Sequence, residues 1–298
     1  MAKLLAQYEN GNYTVRLFDD GTKIRMNNLD NLTPAYAESI DLEITSVCDG
    51  ACNWCYMNCT PQGKHSDLTD PVLDTLHPDT ELAINGNDLT HPQLEDFLIR
   101  MHKKHIVVNM TINQKHLSKN IDKLIDWQNR HLLWGIGVSL TNSKDSTLID
   151  NMKKLKNSIL HVIDGLFTKE DMENLKNSNI KLLMLGYKHV GRGIPYYDEN
   201  KDIIEANISY LKENLIKNSN WFNGIAFDNL SIEHLDIKNQ VDPAMWDLHF
   251  MGNEGSYTFF CDLVNKKFAI SSLETTQYDM LDSVDDMFHF VRKQQGYE

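Results

Sequence analysis

Apolar and polar positions along this chain follow two different periods. Residues 13–18 and 22–26 alternate every second position around Asp19-Asp20-Gly21, which predicts a β-hairpin with Gly21 supplying a positive φ. From about Ser39 short apolar runs take over, at residues 40–45, 82–85, 106–111, 133–140, 159–163 and 181–185, and each reads as a strand. Amphipathic stretches follow them at residues 71–76, 92–102, 116–129, 146–157, 169–177 and 202–218, and each reads as a helix. This succession of β-α units predicts an α/β fold with a parallel sheet and helices outside. Right-handed crossovers would curl it into a partial (β/α)6 TIM-like barrel. Residues 224–230 read as a further strand. The tail changes character: residues 257–262 and 267–272 suggest a second hairpin around Asn265-Lys266, and residues 283–293 a closing helix. The expected organisation is an N-terminal hairpin extension over 1–38, a barrel over 39–230, and a C-terminal extension over 231–298 packing on it.

Composition narrows the function classes. The net charge is −13, and a surface that acidic repels phosphate backbones, which argues against nonspecific nucleic-acid binding. No apolar run approaches the ~20 residues that span a bilayer. Tyr8-Glu9-Asn10 interrupts the short apolar start before a signal peptide could form. The expectation is a cytoplasmic protein without a membrane partner. The five cysteines are Cys48, Cys52, Cys55, Cys59 and Cys261, four of them within twelve residues. A disulfide framework would spread them, so the clustering points to a metal.

The cluster lies in Cys48-Asp49-Gly50-Ala51-Cys52-Asn53-Trp54-Cys55-Tyr56, directly after the first strand of the parallel series. Its spacing is C-x3-C-x2-C, with an aromatic residue just before the third cysteine. A structural zinc site wants four ligands, for which Cys59 or His65 is near. Loops following the strands of such a sheet are where active sites lie, which favours a catalytic cluster. The motif resembles that of the radical S-adenosylmethionine (SAM) superfamily. The resemblance implies one [4Fe-4S] cluster on Cys48, Cys52 and Cys55, with the fourth iron left open for the amino and carboxylate groups of SAM. It implies reductive cleavage of SAM to a 5′-deoxyadenosyl radical that abstracts hydrogen from a substrate. It also implies an external one-electron reductant such as flavodoxin or ferredoxin.

Further segments are similar to the SAM-binding parts of that family. Asn85-Gly86-Asn87-Asp88 stands where the family has Gly-Gly-Glu-Pro, and the resemblance places Gly86, Asn87 and Asp88 at the amino group of SAM. The same residues also read as a strand-to-helix turn capped by Asp88 or Thr90. Asn113 and Ser139 end two strands where the family contacts ribose and carboxylate, and Ile163 lies in the adenine-binding segment. Tyr56, with Trp54, is expected to pack over the cluster. Lys188 and Arg192, in Lys188-His189-Val190-Gly191-Arg192-Gly193, are cations on a glycine-flanked loop, suited to a carboxylate or phosphate or else plain surface charge. No catalytic residue stands out, and nothing marks the substrate. The alternative is a noncatalytic iron–sulfur or zinc-binding protein reusing the fold.

Overall fold

The computed structural model describes residues 2–29 and 31–297. Three strands, β1 (Leu4–Asn10), β2 (Tyr13–Phe18) and β3 (Lys23–Met26), form a small antiparallel sheet. The expected hairpin is β2–β3, and β1 pairs with β2 as a third strand. The large sheet is built from β4 (Ser39–Glu43), β5 (Glu81–Asn87), β6 (Val107–Asn113), β7 (Ile136–Ser139), β8 (Ser158–Ile163), β9 (Lys181–Leu185) and β10 (Gly224–Phe227). Three C-terminal strands, β11 (Thr258–Asp262), β12 (Lys267–Ala269) and β13 (Tyr278–Asp279), complete it. The strand order is β10-β9-β8-β7-β6-β5-β4-β11-β12-β13, parallel from β10 to β11 and antiparallel beyond.

The C-terminal hairpin is therefore no decoration. Its first strand runs parallel to β4, with Phe260 opposite Asp41 and Asp262 opposite Glu43. The helices also depart from the periodic reading. Residues 71–75 form a 3-10 turn, and the sixth helix starts at Gly193 and runs to Asn214, with a break at Asn200. No helix among the described residues is long and apolar enough to cross a membrane.

The two faces of the large sheet differ in chemistry. Outward residues are apolar: Ile40 and Leu42 on β4, Leu82 and Ile84 on β5, Met110 and Ile112 on β6, Leu160 and Val162 on β8. They pack against helix residues such as Phe97, Leu98, Leu124 and Trp127 in one continuous core. The other face carries Asp41, Glu43, Asn85, Asn109, Thr111 and His161, alternating with that apolar set. A parallel sheet covered on both faces would be apolar on both. This one has a polar inner side.

Curvature follows from one contact. Lys188, just past β9, donates from Nζ to Ser272 Oγ, just past β12, at 3.4 Å. Seven strand steps separate β9 from β12, and a flat sheet would hold them roughly 30 Å apart. The sheet therefore bends strongly around its polar face.

The small sheet seals the end where the parallel strands begin. Glu38, 0% exposed, accepts hydrogen bonds from Tyr13 Oη at 2.6 Å and Arg25 Nε at 2.7 Å. Lys23 bridges Glu38 at 3.2 Å and Glu81 at 2.6 Å. Arg25 also lies over the Tyr257 ring, 3.7 Å from its centroid. Two cations from β3 are thus held by carboxylates at the feet of β4 and β5. Glu38→Ala would leave Arg25 without a carboxylate and Lys23 with Glu81 alone, and we expect it to cost about 3 kcal/mol in urea unfolding. A cost below about 1 kcal/mol would mean that apolar packing alone holds the small sheet in place.

Candidate functional site

Between β4 and residue 71 the chain makes a long loop whose only ladder contacts are the bridges Thr45–His65 and Val47–Thr60. Side chains from other strands satisfy much of its backbone. Asn85 accepts from the Ile44 N–H at 2.8 Å and donates to the Thr45 carbonyl at 2.6 Å. Asn87, held at φ +46°, donates to the carbonyls of Thr45 at 3.3 Å and Val47 at 2.9 Å. Arg192 donates from Nε to the Cys52 carbonyl at 3.1 Å and from Nη2 to the Cys59 carbonyl at 2.9 Å. Its own backbone N–H reaches the Cys55 carbonyl at 3.3 Å and Asn58 Oδ1 at 2.9 Å. The glycine before it, Gly191, has φ +57°, and a β-carbon there would lie 2.4 Å from the Tyr56 carbonyl. The glycine-flanked loop is therefore a tight clamp.

Cys48, Cys52 and Cys55 are half-buried, whereas Cys59 and Cys261 are buried. A β-carbon on Gly50 would lie 3.1 Å from Cys48 Sγ, 3.6 Å from Cys52 Sγ and 3.3 Å from Asn113 Nδ2, so the first two thiols curl around Gly50 beside β6. The Gly50 N–H donates to Cys48 Sγ at 3.3 Å. Lys115 donates to the Gly50 carbonyl at 3.3 Å, and His116 meets Asp49 at 2.7 Å, which fastens the loop to the end of β6. Burial pushes the Cys48 and Cys52 thiols up. A hydrogen bond from Cys59 holds Cys55 well below the usual thiol range, with Arg192 adding to it, and drives Cys59 up.

A cavity of about 40 Å³ adjoins the loop, lined by Trp54, Tyr56, Ile163, Leu185, Gly186, Tyr187 and Lys188. Tyr56, Ile163 and Lys188 thus come together at one place. Lys188 Nζ lies 4.0 Å from the Tyr56 ring centroid. Burial disfavours its charge, but Tyr56, Asp228 and Asp41 outweigh that and hold its pKa above the ordinary value.

Other expected positions are engaged elsewhere. Asp88 accepts from the Thr90 hydroxyl at 2.7 Å and closes its own turn. The Gly86 carbonyl takes the Leu89 N–H at 2.7 Å. The α-carbon of Gly86 faces the core, where a β-carbon would meet Met110 Sδ at 2.7 Å. Ser139 ends β7 beside Asn113 in register, and its hydroxyl makes no hydrogen bond with the described residues. Glu43 had not been singled out. It is 5% exposed on the inner face, and burial, then Asp262 and Cys55, push its carboxyl up to about 8. Charged residues at two successive inward positions of a parallel strand, Asp41 and Glu43, were the available signal.

Among the described residues no group of three or more Cys, His, Asp or Glu side chains is placed to hold a metal ion as it stands. Cys48, Cys52 and Cys55 stand near enough for Cys48 and Cys52 to feel the charge of their neighbours, a set of thiolate donors of the kind that both iron–sulfur clusters and zinc use. No protein-family model matches the chain, and no curated protein matches it.

Two outcomes follow. Arg192→Ala frees two loop carbonyls, so amide exchange over residues 52–59 should accelerate at least tenfold while exchange in β5 and β6 stays unchanged. Uniform acceleration would mean that Arg192 supports the fold and not the loop. His161 lies on the inner face, where burial and then Lys188 lower its pKa to about 4. The unfolded side chain titrates near 6.5, so the contribution of neutral His161 is complete above that pH and is lost as pH falls toward 4. Between pH 7.5 and 5 the protein should lose about 1–2 kcal/mol more than His161→Gln does. Equal losses in urea unfolding would place His161 in free contact with water.

Proposed function

We propose that the chain is a radical SAM enzyme in which Cys48, Cys52 and Cys55 hold one four-iron cluster at the mouth of a partial barrel. The observation that carries this reading is the thiol set. Three half-buried, mutually close thiols stand on a loop after the first parallel strand, and the other two cysteines are buried. The strong bend of the sheet supports the barrel. When bound, the cluster with SAM on its open iron would supply one-electron cleavage of the sulfonium to a 5′-deoxyadenosyl radical that takes hydrogen from a substrate.

The residues of the chain supply the setting. Asn85, Asn87 and Arg192 fix the loop through its carbonyls, so the thiols are positioned before any ligand arrives. Trp54 and Tyr56 wall one flank and limit water there. Lys188 brings a positive charge to that flank, suited to a carboxylate. Asn113 and Ser139 end adjacent strands and offer polar groups on the same rim, suited to ribose or carboxylate. With only Cys59 and Cys261 left over, a second cluster has too few thiolates, so the electron would come from an external donor of the flavodoxin or ferredoxin class.

One contact favours a second reading. The Cys59 thiol lies near enough to Cys55 to lower its pKa, as a fourth ligand of a zinc or noncatalytic iron–sulfur site would. The two readings separate in one experiment. Anaerobic reconstitution should load about four irons per wild-type chain. Cys59→Ala should keep them, and Cys48, Cys52 and Cys55 to Ala together should lose them. Reduced wild-type protein should convert SAM to 5′-deoxyadenosine and methionine, resolved by chromatography. Zinc uptake that needs Cys59 would overturn the enzyme reading, and S-adenosylhomocysteine as the only product would point to ordinary methyl transfer.

A further inference from the structure

The end of β6 carries an amide that the fold orients and then leaves without an acceptor. Asn113, the last residue of the strand, is 8% exposed. Its Oδ1 accepts the backbone N–H of Lys115 at 3.0 Å. A backbone N–H can only donate, so the atom it meets is the oxygen, and the amide nitrogen is the atom on the other side. That nitrogen faces Gly50. The place a β-carbon would take on Gly50 is 3.3 Å from Asn113 Nδ2, 3.1 Å from Cys48 Sγ and 3.6 Å from Cys52 Sγ. One small gap is thus bordered by two thiols and an amide donor, and any side chain at residue 50 would fill it.

Asn113 Nδ2 makes no hydrogen bond with the described residues. The acceptor that the loop offers on this side, the Gly50 carbonyl, already takes Lys115 Nζ at 3.3 Å and the Cys52 thiol at 3.8 Å. A polar donor kept nine-tenths buried without a partner is destabilising. What stands beside this one is sulfur. A thiol is a weak acceptor, but a metal-bound thiolate is electron-rich and takes N–H donors well. The setting is also fixed from both sides. Lys115 and His116, just past Asn113, hold Gly50 and Asp49 of the cysteine loop.

We propose that Asn113 donates from Nδ2 to the sulfur of Cys48 or Cys52 when these hold metal, and so sets how readily the centre accepts an electron. The proposal rests on the enzyme reading for the electron, but the donor and its sulfur acceptors stand on geometry alone. Reduction adds one negative charge, taken from the external one-electron donor, and no covalent bond forms or breaks at Asn113. A hydrogen bond to sulfur stabilises the added charge and raises the potential. Two substitutions separate this from support of the strand end. Asn113→Asp keeps an oxygen for the Lys115 N–H and removes the donor, whereas Asn113→Leu removes both without adding charge. Each should load as much iron as wild type. In an anaerobic redox titration without SAM, followed by electron paramagnetic resonance, the ratio of reduced to oxidised cluster at a fixed potential should fall at least threefold in each, about 28 mV for one electron. Transfer to deuterium oxide should remove from the wild-type signal a proton coupling that both variants lack from the start. An unchanged ratio in Asn113→Leu, or survival of that coupling in it, overturns the proposal. A fall in Asn113→Asp alone is a charge effect and overturns it too. Cobalt(II) bound to the same thiols keeps the two readings apart, because loss of the donor should move the thiolate-to-cobalt charge-transfer band to lower energy. That shift in a protein that loads no iron–sulfur cluster keeps the donor and removes the enzyme. A loaded cluster with ratio and band unchanged does the reverse. Thiols that hold neither metal overturn both.

Discussion

A long irregular loop can hold three thiols in fixed relation only if its backbone polar groups find partners, and the loop after β4 has almost no ladder to provide them. The partners come from opposite directions. Asn85 and Asn87 reach it from β5, the next strand in the sheet, and Arg192 reaches it from the segment after β9. Those strands are four steps apart in the sheet. The loop also pairs with itself, the Cys48 N–H donating to the Thr60 carbonyl at 2.9 Å and the Ser46 N–H to the Lys64 carbonyl at 2.9 Å, so the thiol geometry depends on the loop's own turns and on the bend of the sheet together. Asn87 at φ +46° and Gly191 at φ +57° are where the backbone accepts unusual dihedrals to make those reaches. Asparagine and glycine are the residues that tolerate them.

The polar inner face poses the opposite problem. Asp41, Asn109, Thr111 and His161 on a parallel sheet would be costly against a packed layer. The fold leaves that face to a bent, water-accessible space and seals one end. The seal is the small N-terminal sheet, whose Lys23 and Arg25 are drawn to Glu38 and Glu81 at the feet of β4 and β5. Asn109 continues the chain of contacts, donating to Glu81 at 3.2 Å and accepting from Gly135 N–H at 2.8 Å. The opposite end, where the strands finish, carries the cysteine loop.

Local pattern made much of this legible. The β-α alternation follows from side-chain periodicity, and each of the six strands expected between residues 40 and 185 exists, within a few residues of its expected ends. The thiols stood out by spacing alone. Two things lay beyond reach for one reason, which is that pairing between distant segments leaves no periodic trace. β11 reads as half of a hairpin, and it is one, but its parallel pairing with β4 joins residues more than two hundred positions apart. Arg192 reads as a free cation because its acceptors are carbonyls of another loop. Asn87 is a related case: its position beside the site was legible, but its commitment to the loop carbonyls was not, since any amide at a strand end reads as a turn residue.

The charges along the inner space are ordered rather than scattered, and that order bears on what the space can hold. Near the thiols stand Arg192, which lies close enough to Cys52 and Cys55 to favour their thiolates, and Lys115, on the Gly50 carbonyl. Lys188 marks the middle, against Tyr56. Asp41 and Glu43 stand at alternate positions of β4, and burial pushes both carboxyls up. Three thiolates and whatever anionic group they hold would be balanced at the upper level by cations on the clamping segments. The same cations would raise the cost of placing a second positive charge there, and the carboxylates of β4 would lower it. A protein of net charge −13 has acidic groups enough to spread over its surface. Glu43, 5% exposed on the inner face, is one that the fold keeps inside, where burial, Asp262 and Cys55 raise its carboxyl to about 8.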